Sequence, residues 1–489
     1  MEGKKAALSA IVGSGFVSDD PDVLSRYAAD ESFATPRRPW FVVRPKEAAE
    51  VQALVRWAND TATPLVPVSS GPPHFHGDTV PSVAESVVVD LDRMNAIKRI
   101  DRRNRIAVIE PGVTYGRLKG ALAAEGLRVC RPLLPRANKS VVASLLERQP
   151  TLIPRLNFSL PEPLRNCGVV WGTGEYAFTG EAGSGPLSLE AQWEKGLAQL
   201  DPKGPNATDL MRLLTGAQGS MGIVVWASVR CELIPQASKC FFVPGERPED
   251  LIDFCLRAER LRLGDELLVL NSTQLALAIG AGNGTFDAVK RMLPPWVVVI
   301  NLAGAAFYPE ERVAVQGKEL KSLAQGYGCE VLSGLPGISD AAVKAMLENC
   351  SDEPYWKLAR KGACQEVFFL TTLDKAPRFV ETVQAAADAC GYPVQDVGVY
   401  IQPQHHGVSQ HVEFDFPYDR ANEKEAATVR KLFECASDAL IAQGAYFSRP
   451  YGTWADLVYS RDATAKRVLT TVKQIVDPRN VLNPGKLCF

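Results

Sequence analysis

The chain has 489 residues, 46% hydrophobic and 22% charged, with a formal net charge of -2; its length implies two or more domains, and its near-neutral balance offers no broad field to nucleic acid or anionic lipid. Eleven cysteines are scattered with no Cys-x-x-Cys pair, which argues against a zinc knuckle, an iron–sulfur cluster or a secreted disulfide framework and predicts a cytoplasmic setting.

Residues 1–13 (MEGKKAALSAIVG) read as an amphipathic first helix and not a signal peptide, because Gly13, Ser14 and Gly15 break the apolar run and Asp19, Asp20 and Asp22 follow. Residues 46–60 place Val51, Leu54, Val55 and Ala58 on one helical stripe, and Pro64 forbids its continuation. Strand-like runs follow at 65–68, 86–91, 96–100 and 106–110. Thr114 then reads as the N-cap of a helix with Leu118, Leu122 and Ala123 facing inward, closed by Gly126. After Pro235 the pattern changes to helices at 249–262 and 286–292 alternating with strands at 296–302 and 366–372. This order predicts a domain boundary there and a second domain, to about residue 443, with an antiparallel sheet covered by helices. No segment reaches the roughly 20 apolar residues that a membrane span needs, and no internal repeat or low-complexity linker is present.

Three segments have the composition of a ligand site. The loop 67–81 (PVSSGPPHFHGDTVP) spaces Gly71 and Gly77 so that backbone N–H groups could turn toward an anion, although a plain surface turn uses the same residues. Residues 216–224 (GAQGSMGIV) pack three glycines ahead of a strand, and 140–148 (SVVASLLER) supply small residues for close backbone approach. The last thirteen residues (DPRNVLNPGKLCF) hold Asn483 and Lys486 on a turn stiffened by Pro478 and Pro484 and opened by Gly485.

In this order, and with EPGVTYGRL from Glu110, these segments resemble the vanillyl-alcohol oxidase and para-cresol methylhydroxylase superfamily of flavoproteins, related to glycolate and D-lactate dehydrogenases, over nearly the whole chain. The resemblance implies an α+β, two-domain flavoprotein. Residues 1–235 would be the FAD-binding domain, 236–443 a substrate (cap) domain, and 444–489 a return segment that completes the FAD site. The implied FAD contacts are Ser69, Ser70, Gly71, His74, His76 and Gly77, then Ser140 and Val141, then Gly219, Ser220, Gly222 and Ile223, and finally Asn483 and Lys486. Pro72 and Pro73 depart from the family's loop and remove two N–H donors. Residues 153–158 replace the Tyr-Gly-Asp type stretch of the phenol oxidases, leaving its acidic residue without a counterpart.

The five histidines fall in two groups. His76 is a candidate for covalent flavin attachment by resemblance, while His74 and His76 could equally donate hydrogen bonds to phosphate or backbone. In residues 398–416 the alternation predicts two strands around a His-Gly turn, with His411, Glu413 and Asp415 on one face. His411 with Glu413 could be a base and its orienting carboxylate, a metal pair with His405 or His406, or a satisfied structural pair.

In residues 444–451 (GAYFSRPY), Tyr446 matches a phenolate-binding Tyr of the phenol oxidases and Phe447 replaces the neighbouring Arg. Arg449 could bind a carboxylate or phenolate, but strand alternation would return it to the face of Phe447, and a surface Arg stacked on Tyr451 is the alternative. The leading expectation is an FAD-dependent dehydrogenase or oxidase with His411, Glu413, Arg449 and Tyr446 as catalytic residues and no resident metal. Its substrate would be an alcohol, a 2-hydroxy acid or a para-substituted phenol, and electrons would pass to an external acceptor, an electron-transfer protein or a small molecule. A homo- or hetero-oligomer is expected. The alternative is a structural or electron-relay flavoprotein subunit of a larger redox complex; a nucleotide-binding transferase is disfavoured because no Gly-Lys-Ser/Thr phosphate loop is present.

Overall fold

A computed structural model describes residues 2–156, 162–183, 185–197, 210–280 and 285–489. Asn157 and Phe158, part of the stretch that replaces the phenol-oxidase motif, lie outside them.

Three sheets organise the chain. The first places Val17–Ser18, Phe41–Val43, Val87–Asp90 and Leu65–Val68 side by side, with the last three mutually parallel. Parallel strands need a crossover, and the helix Ala48–Thr61 supplies it. It buries the stripe Val51, Leu54, Val55 and Ala58 expected from its spacing, the valine and leucine side chains each being worth about 1.5 to 3 kcal/mol on full burial. Ala62, in the left-handed conformation at φ 50°, ends it ahead of Pro64.

The second sheet runs Ile97–Asp101, Ile106–Ile109, Gly222–Leu233, Leu164–Trp171 and Tyr176–Phe178, with Leu127–Val129 paired to the long central strand. Helix Tyr115–Ala124 buries Tyr115, Leu118 and Leu122 and is capped by the Thr114 hydroxyl, as expected; Ala123, predicted inward, is exposed. Residues 140–148, expected as a close-approach loop, instead form the helix Val141–Leu146, because the Ser140 hydroxyl accepts the Ala143 N–H and starts it.

The third sheet is antiparallel throughout, in the order Ala237–Gly245, Trp296–Gly304, Glu266–Asn271, Gly398–Gln404, Ser409–Tyr418 and Ala363–Thr371. One face carries Val367, Phe369, Val399, Ile401, Val412, Phe414 and Phe416 into a core shared with helices Ala376–Cys390 and Glu423–Ala442. Period-two alternation sends Glu366, Phe368, Tyr400, Gln402, His411, Glu413 and Asp415 to the opposite face. That face is directed at the first half of the chain.

Candidate active site

Between this face and the first two sheets lies a deep cavity with about 1600 Å³ of empty volume, counting space open to solvent. None of the residues lining it is exposed. Its walls bring together Ser69, Ser70, His74 and His76 from the first loop, Glu147 from the segment after Ser140, and Gly219, Gly222 and Ile223 from the third segment. The cap contributes Tyr355, Trp356, Lys357, Glu366, Tyr400 and Glu413, and the return segment Arg449 and Tyr451. Gly219 permits the close fit of the first loop to the third segment: it sits at φ 69°, and a Cβ there would come within 2.4 Å of Pro67 Cγ.

Several expected cofactor contacts take other roles. The Gly71 N–H donates to the Asn138 carbonyl at 3.3 Å, and the Gly77 N–H to the Asp30 carboxylate at 2.6 Å. The anion nest read from these two glycines is therefore corrected: protein acceptors already hold both donors. Ser140 caps its helix, Val141 packs in the core, and the Ser220 hydroxyl donates to the Ala217 carbonyl. Asn483 and Lys486 act as a clasp on the first loop. Asn483 Nδ2 donates to the carbonyls of Asp78 and Gln218 at 2.9 and 2.7 Å, and Lys486 Nζ to those of Gly77 and Val80 at 2.6 and 2.8 Å.

On the cap side, Lys357 Nζ sits among three carboxylates, donating to Glu366 at 2.7 Å, to Asp415 at 3.2 Å and to Glu413. Each carboxylate has a further partner: Glu366 faces His76 Nε2 at 3.4 Å, Glu413 meets His411 Nε2 at 2.9 Å, and Asp415 accepts from the Gln274 amide. Burial alone would push all three carboxyls upward. For Glu413 the Lys357 ammonium overrides it and holds the group down at about 2, and Glu366 is likewise held well below its ordinary value. Asp415, the most deeply buried, goes the other way, to about 7. His411 is lowered by burial despite its bond to Glu413, so it is neutral at physiological pH.

Glu413 is on the cavity wall as expected, but His411 stands behind it, 2% exposed, and does not line the cavity. As the group that first contacts a substrate it is corrected: the sheet face was read properly, but Glu413 shields the ring. His405 and His406 occupy the hairpin turn with positive φ, away from the three carboxylates.

Residues 444–451 do not form a strand; only Tyr446 bridges to Leu370. Phe447 packs on Phe369 and Trp454 on the helix side. Arg449, 5% exposed, lines the cavity with its guanidinium 3.8 Å from the Phe368 ring. The alternation that would have paired Arg449 with Phe447 is thus overturned by the absence of a pleat. Tyr446 is 60% exposed and is not on the cavity wall; its electrostatic neighbours are Arg148 and Tyr459.

Sequence reasoning missed Lys357, Glu366, Tyr400 and Trp356. Tyr400 was recoverable, since two strands were predicted in residues 398–416 and Tyr400, directly opposite Glu413 in the hairpin, shares its face. Glu366 stood in a predicted strand whose partner was unknown, and Lys357 lies in a connecting segment with no periodic signal.

The residues fit FAD. Beside the first loop, Arg136 gives the wall positive charge while Lys139 is paired with Glu147, and the Ser70 hydroxyl, which accepts the Ser140 N–H at 3.1 Å, keeps its own proton to donate. His74 Nε2 and Glu147 Oε2 are buried here without a partner among the described residues, and burial lowers the His74 ring to about 4, leaving it neutral. Residues 39–141 match the FAD binding domain family. Over 98% of its length the chain is 26% identical to a D-2-hydroxyglutarate dehydrogenase of Stutzerimonas stutzeri, covering 97% of it. A stretch of 150 residues is 35% identical to the 1'-carboxy-chondrochloren decarboxylase of Chondromyces crocatus, and it spans 30% of this chain and 27% of that protein. The crystal structure of p-cresol methylhydroxylase with substrate bound superposes with a TM-score of 0.84 at 19% identity, covering 100% of this chain and 96% of that one. Loop order, three-sheet architecture and cofactor-domain match agree: residues 39–141 carry an FAD binding domain and the whole chain has the fold of p-cresol methylhydroxylase, which is consistent with the vanillyl-alcohol oxidase and para-cresol methylhydroxylase superfamily of flavoproteins.

Proposed function

We propose that this FAD-dependent oxidoreductase removes a hydride from a small hydroxylated substrate carrying an anionic oxygen, a 2-hydroxy acid or a para-substituted phenol, and passes the electrons to an external acceptor. Arg449 carries the reading. It is a cation, 5% exposed, on the cavity wall, with no carboxylate within ion-pair distance among the described residues. A buried charge without a counter-ion is costly, and a substrate carboxylate or phenolate would supply the missing partner through a planar, bidentate contact. Tyr400 OH and Trp356 Nε1 are also buried without partners among the described residues, and both residues line the cavity. They offer polar contacts for the rest of the substrate. Lys357, already saturated by its carboxylates, is not available for that purpose.

The flavin, when bound, supplies the hydride acceptor. Arg449 would orient the donor and neutralise its charge, Phe368 and Tyr451 would exclude water, and the acidic cluster would hold a fixed field beside the reacting carbon. The names of the relatives, a 2-hydroxy acid dehydrogenase and a p-cresol methylhydroxylase, support the two substrate classes. The second reading, a relay or structural subunit, draws support from the first loop, where Gly71 and Gly77 N–H are already engaged and Pro72 and Pro73 have none. An anaerobic screen separates them: D-2-hydroxy acids or 4-alkylphenols should bleach the flavin absorbance. A protein that keeps FAD and is reduced by dithionite but by no member of either series would be the relay subunit.

A further inference from the structure

A second cavity, with about 1360 Å³ of empty volume including space open to solvent, adjoins the first. Its lining includes the exposed residues Thr35, Arg37, Thr453 and Asp456, so it opens outward. Among the residues that line both cavities are His76, Glu366 and Tyr451. His76 therefore stands in the partition between a shielded chamber and water. Its ring is stacked on Tyr451 with centroids 4.5 Å apart and meets the edge of Phe368 at 5.5 Å, which fixes its plane. Nε2 faces the Glu366 carboxylate at 3.4 Å, and Glu366 is in turn anchored by Lys357 at 2.7 Å and kept ionised.

We propose that His76 is the acid–base residue of this enzyme: it takes the proton of the substrate hydroxyl from the deep cavity and releases it into the open one. The inference rests on the proposed oxidation. As the substrate's C–H bond breaks and its hydride leaves to the cofactor, the O–H bond breaks and its proton forms a new N–H bond on Nδ1. That is the free nitrogen, because Glu366 holds the proton on Nε2. The imidazolium then loses the Nδ1 proton to water in the open cavity. Glu366 and Lys357 are positioning residues, in the arrangement of a base oriented by a fixed carboxylate. The other carboxyls within electrostatic reach of the ring are Glu147 from the helical segment and Asp78 from its own loop. His411, hydrogen-bonded to Glu413, packed on Phe368 and Tyr400 and absent from the wall, is left with a supporting role.

The probe is 4-hydroxybenzaldehyde, whose phenolate absorbs apart from its phenol, titrated into the holoprotein one pH unit below the probe's own pKa. Free in water it is then about one-tenth ionised. Bound to the wild type it should be mostly phenolate; bound to His76→Gln or Glu366→Gln the ionised fraction should fall severalfold, to what Arg449 alone sustains, with FAD content and melting temperature unchanged. Imidazole added to His76→Gly should restore the phenolate band, a rescue that a merely structural residue would not show. Binding to the wild type without ionisation, or ionisation that is undiminished in His76→Gln, overturns the assignment while leaving the substrate site intact. No binding at all overturns the substrate reading and the inference with it. Yellow colour retained in acid-precipitated wild type but lost from His76→Gln would also overturn it, since that ring would then be bonded to the flavin.

Discussion

Lys357 touches three carboxylates, whereas Arg449 touches none within ion-pair distance among the described residues, although both cations are about 5% exposed and face the same cavity. The first is an internally balanced charge, and removing it would strand the acids around it. The second is balanced only when something anionic arrives. Arg449→Ala should therefore leave folding and FAD content near wild type while weakening substrate reduction of the flavin at least tenfold, corresponding to about 1.5 to 3 kcal/mol for a charge-assisted hydrogen bond. Arg449→Lys should recover only part of this, since an ammonium cannot make the forked contact. Stopped-flow reduction at varied donor concentration measures both. Equal kinetics in wild type and Arg449→Ala would return the arginine to a packing role against Phe368.

At the level of elements, the return segment works by holding another element. Lys486, whose ammonium is pushed below its ordinary value by burial, donates to two carbonyls of the first loop, and Asn483 donates to a third carbonyl there. They add to the holds that Asp30 makes on Gly77 and that Arg136 and Asn138 make on Gly71 and Pro72. Lys486→Met should raise the dissociation rate of FAD several-fold, read as faster loss of flavin fluorescence quenching on dilution, with the cap sheet unaffected. An unchanged off-rate would mean that Asn483, Asp30, Arg136 and Asn138 hold the loop without Lys486. The sequence made this tail legible as a rigid turn because Pro478, Pro484 and Gly485 restrict the backbone locally, but its partners are about 400 residues away and leave no local trace. The same division holds elsewhere. The helix Ala48–Thr61 and the hairpin of Gly398–Gln404 and Ser409–Tyr418 follow from periodicity, and so does the shared face of His411, Glu413 and Asp415. What stands in front of that face does not: Lys357 reaches it from a connecting segment and His76 from the first loop, so His411 was given a contact that falls to others. Residues 444–451 misled for the opposite reason, because alternation was assumed where no strand forms.

Across the whole molecule, the seam between the two halves is a polar junction. The loop residue His76 meets Glu366 of the cap, Tyr355 packs on Phe75, and the Ser351 N–H donates to the Pro135 carbonyl. Beneath it lies the Lys357 cluster, whose carboxyls titrate in opposite directions and so set opposite limits on stability. Glu413, lowered to about 2, contributes stability that is present above its unfolded value of 4.5 and is lost as pH falls toward 2. Asp415, raised from 3.8 to about 7, binds its proton in the folded state where the unfolded chain has released it. Its contribution is therefore full below 3.8 and lost as pH rises through about 7. Each tenfold change in proton affinity is worth about 1.4 kcal/mol, so the loss is on the order of 4 kcal/mol, part of which Lys357 offsets by turning toward the new charge. Asp415→Asn, neutral at every pH, should match the wild type in melting temperature at pH 5 only to the extent that Asp415 is protonated there, and should exceed it clearly at pH 8.5. The unfolding entropy, about 2.1 cal/mol/K per residue, comes to roughly 1 kcal/mol/K for a chain of this length, so the advantage should be about 2 to 4 °C. Calorimetry at the two pH values decides the matter: a displacement of the same size and sign at both would mean that Asp415 stays ionised throughout, and that three carboxylates, not two, face the single Lys357 ammonium at neutral pH.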